Sequence, residues 1–117
     1  MLCLILDIGQ TVVIKKGMIL AVEAIEGTSA CIQRGVSLGK NKGVIVCKAA
    51  KKSQNKKYDL PVLGAATLEN IKKGEIAAIA WQANQTLIVD KELFIKRAKD
   101  LGITLISCDE SFFANST

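Results

Sequence analysis

Apolar and polar positions along the chain fall into short blocks, and each block has a length and an ending that suggest one element. The run from Leu2 to Asp7 is apolar until it stops at an acid, the pattern of a buried strand whose C-terminal end reaches a polar edge. Two β-branched runs, residues 10–15 and 18–25, flank Lys16-Gly17, with glycine where a two-residue turn wants positive φ; they predict a β-hairpin. In the second run Met18, Leu20, Val22 and Ala24 are expected on one face, with Glu23 among Ile19, Ala21 and Ile25 on the other.

Glu26-Gly27-Thr28-Ser29 then breaks the strand, and Thr28 or Ser29 is placed to cap a helix that ends near Leu38-Gly39. Residues 43–48 read as another buried strand. Thr67 is a second N-cap candidate, predicting a short helix that carries Leu68 and Ile71 and stops at Gly74. Residues 76–81 and 86–89 predict a second hairpin around Ala83-Asn84-Gln85. Asp90 caps a third helix, with Leu93, Phe94, Ala98 and Leu101 as its apolar face and Gly102 as its stop. Residues 103–108 form a last strand, and the tail from Asp109 reads as frayed apart from Phe112 and Phe113. The sum is an α/β fold, a mixed β-sheet with two hairpins and three short helices, in one compact domain over residues 1–117 without repeat or linker.

Composition narrows the chemistry. At 117 residues and 50% hydrophobic, the chain can bury a core without staples or metals. It has no histidine, which excludes Ser-His, Cys-His and His-ligated metal sites built from this chain alone. Catalysis would have to use carboxylates, lysines, hydroxyls, thiols or backbone dipoles. Cys3, Cys31, Cys47 and Cys108 show no CxxC spacing and read as buried, reduced thiols of a cytosolic protein. The N-terminal apolar stretch is too short for a signal peptide and lacks a basic start, and no run approaches the roughly 20 apolar residues needed to cross a bilayer.

The formal charge of +5 comes from 16 basic and 11 acidic residues. Lys48, Lys51, Lys52, Lys56 and Lys57 occupy one ten-residue segment without an acid, so the remainder of the chain balances at 11 against 11. Ser53, Gln54 and Asn55 give that segment loop chemistry, and it reads either as a solvated lysine loop or as an anion site. Three constellations could serve an anion. Glu26-Gly27-Thr28-Ser29 sits where a strand meets a helix, and helix N–H groups there suit an oxyanion. Asp59 follows the lysines and, held ionised by them, could bind a divalent cation or orient a water beside a diphosphate. Asp7-Ile8-Gly9-Gln10-Thr11 has the layout of the phosphate-binding hairpin of the actin, Hsp70 and sugar-kinase superfamily. That superfamily's second phosphate hairpin and adenosine-binding glycine motif are missing.

Taken in order, Asp7-Ile8-Gly9-Gln10-Thr11-Val12-Val13, Leu20-Ala21-Val22-Glu23-Ala24-Ile25-Glu26-Gly27-Thr28 and Tyr58-Asp59-Leu60-Pro61-Val62-Leu63-Gly64 form a recognisable series. With Thr86-Leu87-Ile88-Val89-Asp90 and the closing helix and strand, the chain resembles, over nearly its whole length, the C-terminal domain of the LpxI-type UDP-2,3-diacylglucosamine pyrophosphatases of lipid A biosynthesis. The resemblance implies a magnesium-dependent hydrolase that cleaves the diphosphate of a UDP-linked diacylated glucosamine into UMP and 2,3-diacylglucosamine 1-phosphate (lipid X). It implies Asp59 as the catalytic residue. The active site would lie against the family's N-terminal α/β domain, which is absent from this chain and would be supplied in cis or in trans.

Gly27, Thr28, Ser29, Gln10, Lys48 and Lys57 are the candidate phosphate-binding residues, and Asp59 with Glu26, then Asp7, the candidate metal ligands. The location implied is cytoplasmic, with peripheral contact to the inner membrane and a homodimer among the assemblies open to it. Because Met1 stands at the start of what would be an internal strand, a separately produced domain, half of a split protein or a stand-alone paralogue is expected.

The sequence departs from the family pattern at three positions, Ser29, Asn55 and Lys57. Ser29 stands where the family usually has Asp, and Gln54-Asn55-Lys56-Lys57 where it shows Gln-Asp-x-Arg. Fewer carboxylates lower affinity for a hard cation, and lysine lacks the bidentate phosphate contact of arginine. The alternatives are a non-catalytic paralogue, a basic nucleic-acid or anion-binding module, and a kinase-like ATP site on residues 7–11. With 4% aromatics and only Tyr58 near the lysines, no stacking platform for single-stranded nucleic acid is at hand, and no nucleic-acid partner is expected.

Overall fold

A computed structural model describes residues 11–49, 62–83 and 86–108. The expected strand at residues 2–7, the lysine segment beyond Ala49, Asp59, the turn at Asn84-Gln85 and the tail from Asp109 lie outside the described residues. Seven strands appear: β1 (Thr11–Lys15), β2 (Met18–Val22), β3 (Val44–Lys48), β4 (Val62–Gly64), β5 (Ile76–Gln82), β6 (Leu87–Val89) and β7 (Thr104–Cys108). Two α-helices accompany them, α1 (Thr28–Leu38) and α2 (Lys91–Asp100).

The main sheet is mixed, in the order β2-β1-β3-β5-β7. β1 pairs antiparallel with both β2 and β3, while β3, β5 and β7 run parallel. The first hairpin forms as its sequence demands, since Lys16 (φ 51°) and Gly17 (φ 79°) supply the two positive φ angles of a tight turn. Its alternation does not hold. The ladder jumps from Val13↔Ala21 to Ile14↔Ile19, leaving Leu20 as an extra residue. This bulge lets Leu20 and Ala21 both pack into the helix-side core, and Val22 turns to the opposite face.

The second hairpin is not formed. β5 already pairs with β3 on one side and β7 on the other, so it has no free edge to offer β6. β6 instead joins β4 in a separate two-stranded parallel sheet, with Leu63↔Ile88 in register. The α-helix expected after Thr67 is also absent. Ala65–Leu68 form a 3-10 turn, the Thr67 hydroxyl accepts the Gly64 N–H (3.2 Å) behind it, and Asn70 (φ 67°) turns the chain before a helix can propagate. Two α-helices therefore stand where three were expected, among the described residues.

Helix α1 lies on the sheet because its apolar stripe, Cys31, Ile32 and Val36, is buried with Val13, Val44, Val46 and Ile79. Its approach is set by Gly35, where an added Cβ would stand 2.5 Å from Val13 Cβ and Cγ1. Phe94 and Ala98 of α2 close the same core beside Leu63 and Leu68. The other face of the sheet carries a smaller cluster, Val12, Cys47, Ala49, Ala80 and Cys108. Cys31, Cys47 and Cys108 are buried and none is in a disulfide, as read from the sequence.

Candidate anion-binding site

Parallel strands with crossovers leave a crevice beyond their C-terminal ends, and in open α/β sheets ligands bind there. Here that edge ends in Lys48 of β3, Gln82 of β5 and Cys108 of β7. Antiparallel β1 begins at the same edge, with Thr11 and Lys48 as direct partners across the ladder. Opposite partners share a face, so both side chains stand on the α1 side of the sheet. The start of α1 completes the corner.

Lys48 is the unusual member, because its side chain is only 2% exposed. Its Nζ donates to Thr28 Oγ1 at 2.6 Å, and the Thr28 hydroxyl donates to Glu23 Oε1 at 3.1 Å. Burial drives the ammonium pKa below that of free lysine, and the Glu23 charge pulls it back up. Among the described residues the cation has no direct ion pair; its charge is balanced at one remove, through a hydroxyl. A buried ammonium in that state favours an anion that can take its remaining donors.

Gly27 precedes α1 with φ 90°, a left-handed conformation that places the chain to enter the helix without a side chain, and a Cβ there would meet nothing within 4 Å. The first helical hydrogen bond runs from Cys31 N–H to Gly27 C=O (3.1 Å), and among the described residues no side-chain hydrogen bond caps the N–H groups of Thr28, Ser29 and Ala30. Their donors and the positive end of the helix dipole face the same corner as Lys48.

Three residues of the site, Glu23, Arg34 and Trp81, escaped the sequence reading, and a fourth, Thr11, was read only within the 7–11 constellation. Glu23 appeared there only as an acid on a strand face, yet it receives the Thr28 hydroxyl, and its N–H donates to the Thr11 carbonyl (2.8 Å). Arg34 donates to Glu26 Oε1 (2.6 Å) and to the Val22 carbonyl (3.0 Å), pinning the strand-to-helix loop against α1. The Arg34 hydrogen bond also lowers the Glu26 carboxyl pKa. Thr11 is fully buried, and its hydroxyl has no partner among the described residues. Trp81, in register beside Lys48, packs edge-on against Phe94 with ring centroids 6.4 Å apart. Arg34, eight residues after Glu26, had a readable signal in its opposite charge, and Thr11 one in its place after Gly9.

Of the sequence candidates, Gly27, Thr28, Ser29, Glu26 and Lys48 converge here; Gln10, Lys57, Asp59 and Asp7 lie outside the described residues. No group of three Cys, Asp or Glu side chains among the described residues could hold a metal ion. Glu26, the second metal candidate, already spends its carboxylate on Arg34.

The fold and corner together define an α/β domain that brings a buried lysine and a helix N-terminus to one corner of the sheet. The family model of the LpxI C-terminal domain matches residues 3–106, and the chain belongs to that family. It is similar to the UDP-2,3-diacylglucosamine pyrophosphatase LpxI of Caulobacter vibrioides, at 37% identity over 111 residues. That alignment covers 89% of this chain and 40% of the relative, so the chain spans about two fifths of the relative's length.

Proposed function

We propose that this chain is the diphosphate-gripping domain of a pyrophosphohydrolase that cleaves a UDP-linked 2,3-diacylated glucosamine into UMP and the diacylated sugar 1-phosphate. One observation carries the reading: Lys48, buried at the end of β3, reaches Thr28 Oγ1 at the start of α1. The name of the Caulobacter relative supports the substrate class. Hydrolysis at phosphorus asks the protein mainly to position the diphosphate and to neutralise developing charge, work suited to an ammonium and helix N–H groups and needing no histidine.

Asp59 is the residue we assign to orienting the attacking water and, with magnesium, to holding the metal. When bound, such a cation supplies Lewis-acid charge neutralisation at the phosphoryl oxygens. The described carboxylates do not build that site by themselves, and Glu26 could join it only by leaving Arg34. Lys57, Gln10, Gly27 and Ser29 complete the proposed phosphate contacts. The missing wall of the cleft is assigned to the family's N-terminal domain, since the relative is longer than this chain. The proposed location is cytoplasmic, with homodimerisation as a further assembly.

The test is UMP release from the lipid substrate with magnesium and the N-terminal domain supplied. Asp59→Ala should abolish release while leaving the thermal transition unchanged; full activity in that variant refutes the assignment. Ser29, on the exposed first turn of α1 where the family usually carries Asp, favours a second reading, a domain that holds the diphosphate without cleaving it. Tight UMP binding without release would select that reading.

A further inference from the structure

Along the chain the lysine segment has no aromatic neighbour but Tyr58, and folding brings one to Lys48 from another strand. Trp81, next to the C-terminal end of β5, pairs in register with Lys48 on one side and Ser107 on the other. Partners across a ladder share a face, so the indole leaves the sheet on the α1 side, one strand and about 5 Å of backbone from the buried lysine. The two side chains then part. Lys48 Nζ turns to Thr28 at the start of α1, and the indole turns to Phe94 of α2. Both stand at the carboxyl edge of the parallel strands, where open α/β sheets take their ligands.

The indole is not spent on the core. It is partly exposed, whereas Phe94, the other aromatic among the described residues, is fully buried. Their planes meet at 74°, an edge-to-face contact, which uses at most one face of either ring. At least one indole face is therefore without an aromatic partner among the described residues, and the indole N–H has no acceptor there. The ammonium of Lys48 and the N–H groups of α1 accept any phosphate alike, so discrimination among phosphate esters falls to a neighbouring group of another kind. A partly wet π-face beside a buried ammonium matches a ligand that carries a flat ring one ribose away from a phosphate, which is a nucleotide. A planar base covers that face without leaving hydroxyls to satisfy, as a hexose ring would.

We propose that Trp81 is a specificity-determining residue of this site, the platform on which the nucleobase of the UMP moiety stacks while Lys48 holds the adjoining phosphate. The inference rests on the reading of a UDP-linked substrate and adds the means by which the uridine end is told from other phosphate esters. The indole N–H lies at the rim of the stack, where a ribose or phosphate oxygen can accept it.

The test is binding to the full chain, followed by calorimetry and by the fluorescence of Trp81, the one tryptophan of the chain. UMP should bind about tenfold tighter or more than ribose 5-phosphate, and should quench the indole more strongly than inorganic diphosphate does. Trp81→Leu also gives up the Phe94 contact, so its fold is checked by circular dichroism. It should weaken UMP about tenfold, within the roughly 5- to 150-fold that one stacked base represents, and change inorganic diphosphate less than about twofold. Trp81→Phe keeps a ring and should recover most of the UMP affinity. The comparison of UMP with ribose 5-phosphate on the unaltered chain decides the matter even where Trp81→Leu does not fold. The proposal is overturned by absence of UMP binding, by equal affinity for UMP and ribose 5-phosphate, or by UMP binding that a folded Trp81→Leu leaves unchanged. Tighter Trp81-dependent binding of glucosamine 1-phosphate would give the face to the sugar and also overturn it. Failure of the hydrolase reading looks different: Trp81-dependent binding of UMP persists while no UMP is released from the lipid substrate.

Discussion

Replacing Lys48 by methionine separates a binding role from a structural one. The lysine is 2% exposed, so the variant keeps most of the buried volume while deleting one cation and its 2.6 Å bond to Thr28 Oγ1. Thr28 keeps its donor bond to Glu23, so no new buried donor is orphaned. Exchanging a buried charge for a hydrophobe of similar volume is usually neutral or stabilising, and here the expected change is between 0 and about +2 kcal/mol. The lost contact to a bound phosphate is charge-assisted and worth about 1.5–3 kcal/mol, or roughly 10–150-fold in affinity.

The assay needs no substrate turnover. Trp81, the one tryptophan of the chain, pairs in register with Lys48, so its fluorescence reports titration with UMP or inorganic diphosphate. Urea denaturation of the same samples gives stability. Weaker anion binding with unchanged or raised stability is expected. A variant destabilised by more than about 2 kcal/mol whose folded fraction binds anions as before would make Lys48 a structural residue and refute the site.

Three further outcomes follow from the packing and the titrating groups. Gly35→Ala should destabilise by about 1–3 kcal/mol despite the helix propensity of alanine, because its Cβ would stand 2.5 Å from Val13; adding Val13→Ala should recover part of that loss in a double-mutant cycle. Thr11→Val should raise the melting temperature slightly, since it removes a buried hydroxyl that has no partner among the described residues; a loss above about 1 kcal/mol would mean the hydroxyl is engaged. Burial pushes the Cys31 thiol up to about 11, against 9.0 when unfolded. The folded state then holds its proton longer than the unfolded one, so this thiol's contribution is complete below pH 9 and is lost as pH rises from 9 to 11. Cys31→Ala should flatten that alkaline decline in denaturation measured from pH 8 to 11.

Much of the architecture was legible because hydrophobic period and breaker residues act locally. The Lys16-Gly17 turn, the extent of α1 and the inward Phe94 and Ala98 of α2 follow from spacing within a dozen residues, but α1 begins after Gly27, with Thr28 inside it and not capping it, and Leu93, expected on the apolar face of α2, is exposed. Gly27, Thr28 and Lys48 were legible as site candidates for the same reason, each standing at the end of a readable element. Strand partnership was not. Nothing between Ile76 and Val89 says that both edges of β5 are taken, and the turn residues Ala83-Asn84-Gln85 fit a hairpin that the sheet leaves no room for.

Charge was read differently by the two descriptions. By sequence alone, all five excess cations fall between Lys48 and Lys57, and the rest of the chain is neutral. Folding separates the first of those lysines from solvent and ties it to Thr28, twenty residues away, while it brings Lys16, Lys40 and Lys73 from three distant segments to one edge. The sequence by itself determined which segments become helix or strand and which residues carry charge, since both depend on neighbours along the chain. Which strand pairs with which, which lysine is buried and which acid answers it were decided only by the tertiary structure, because desolvation and hydrogen bonding depend on groups that the chain brings together from far apart.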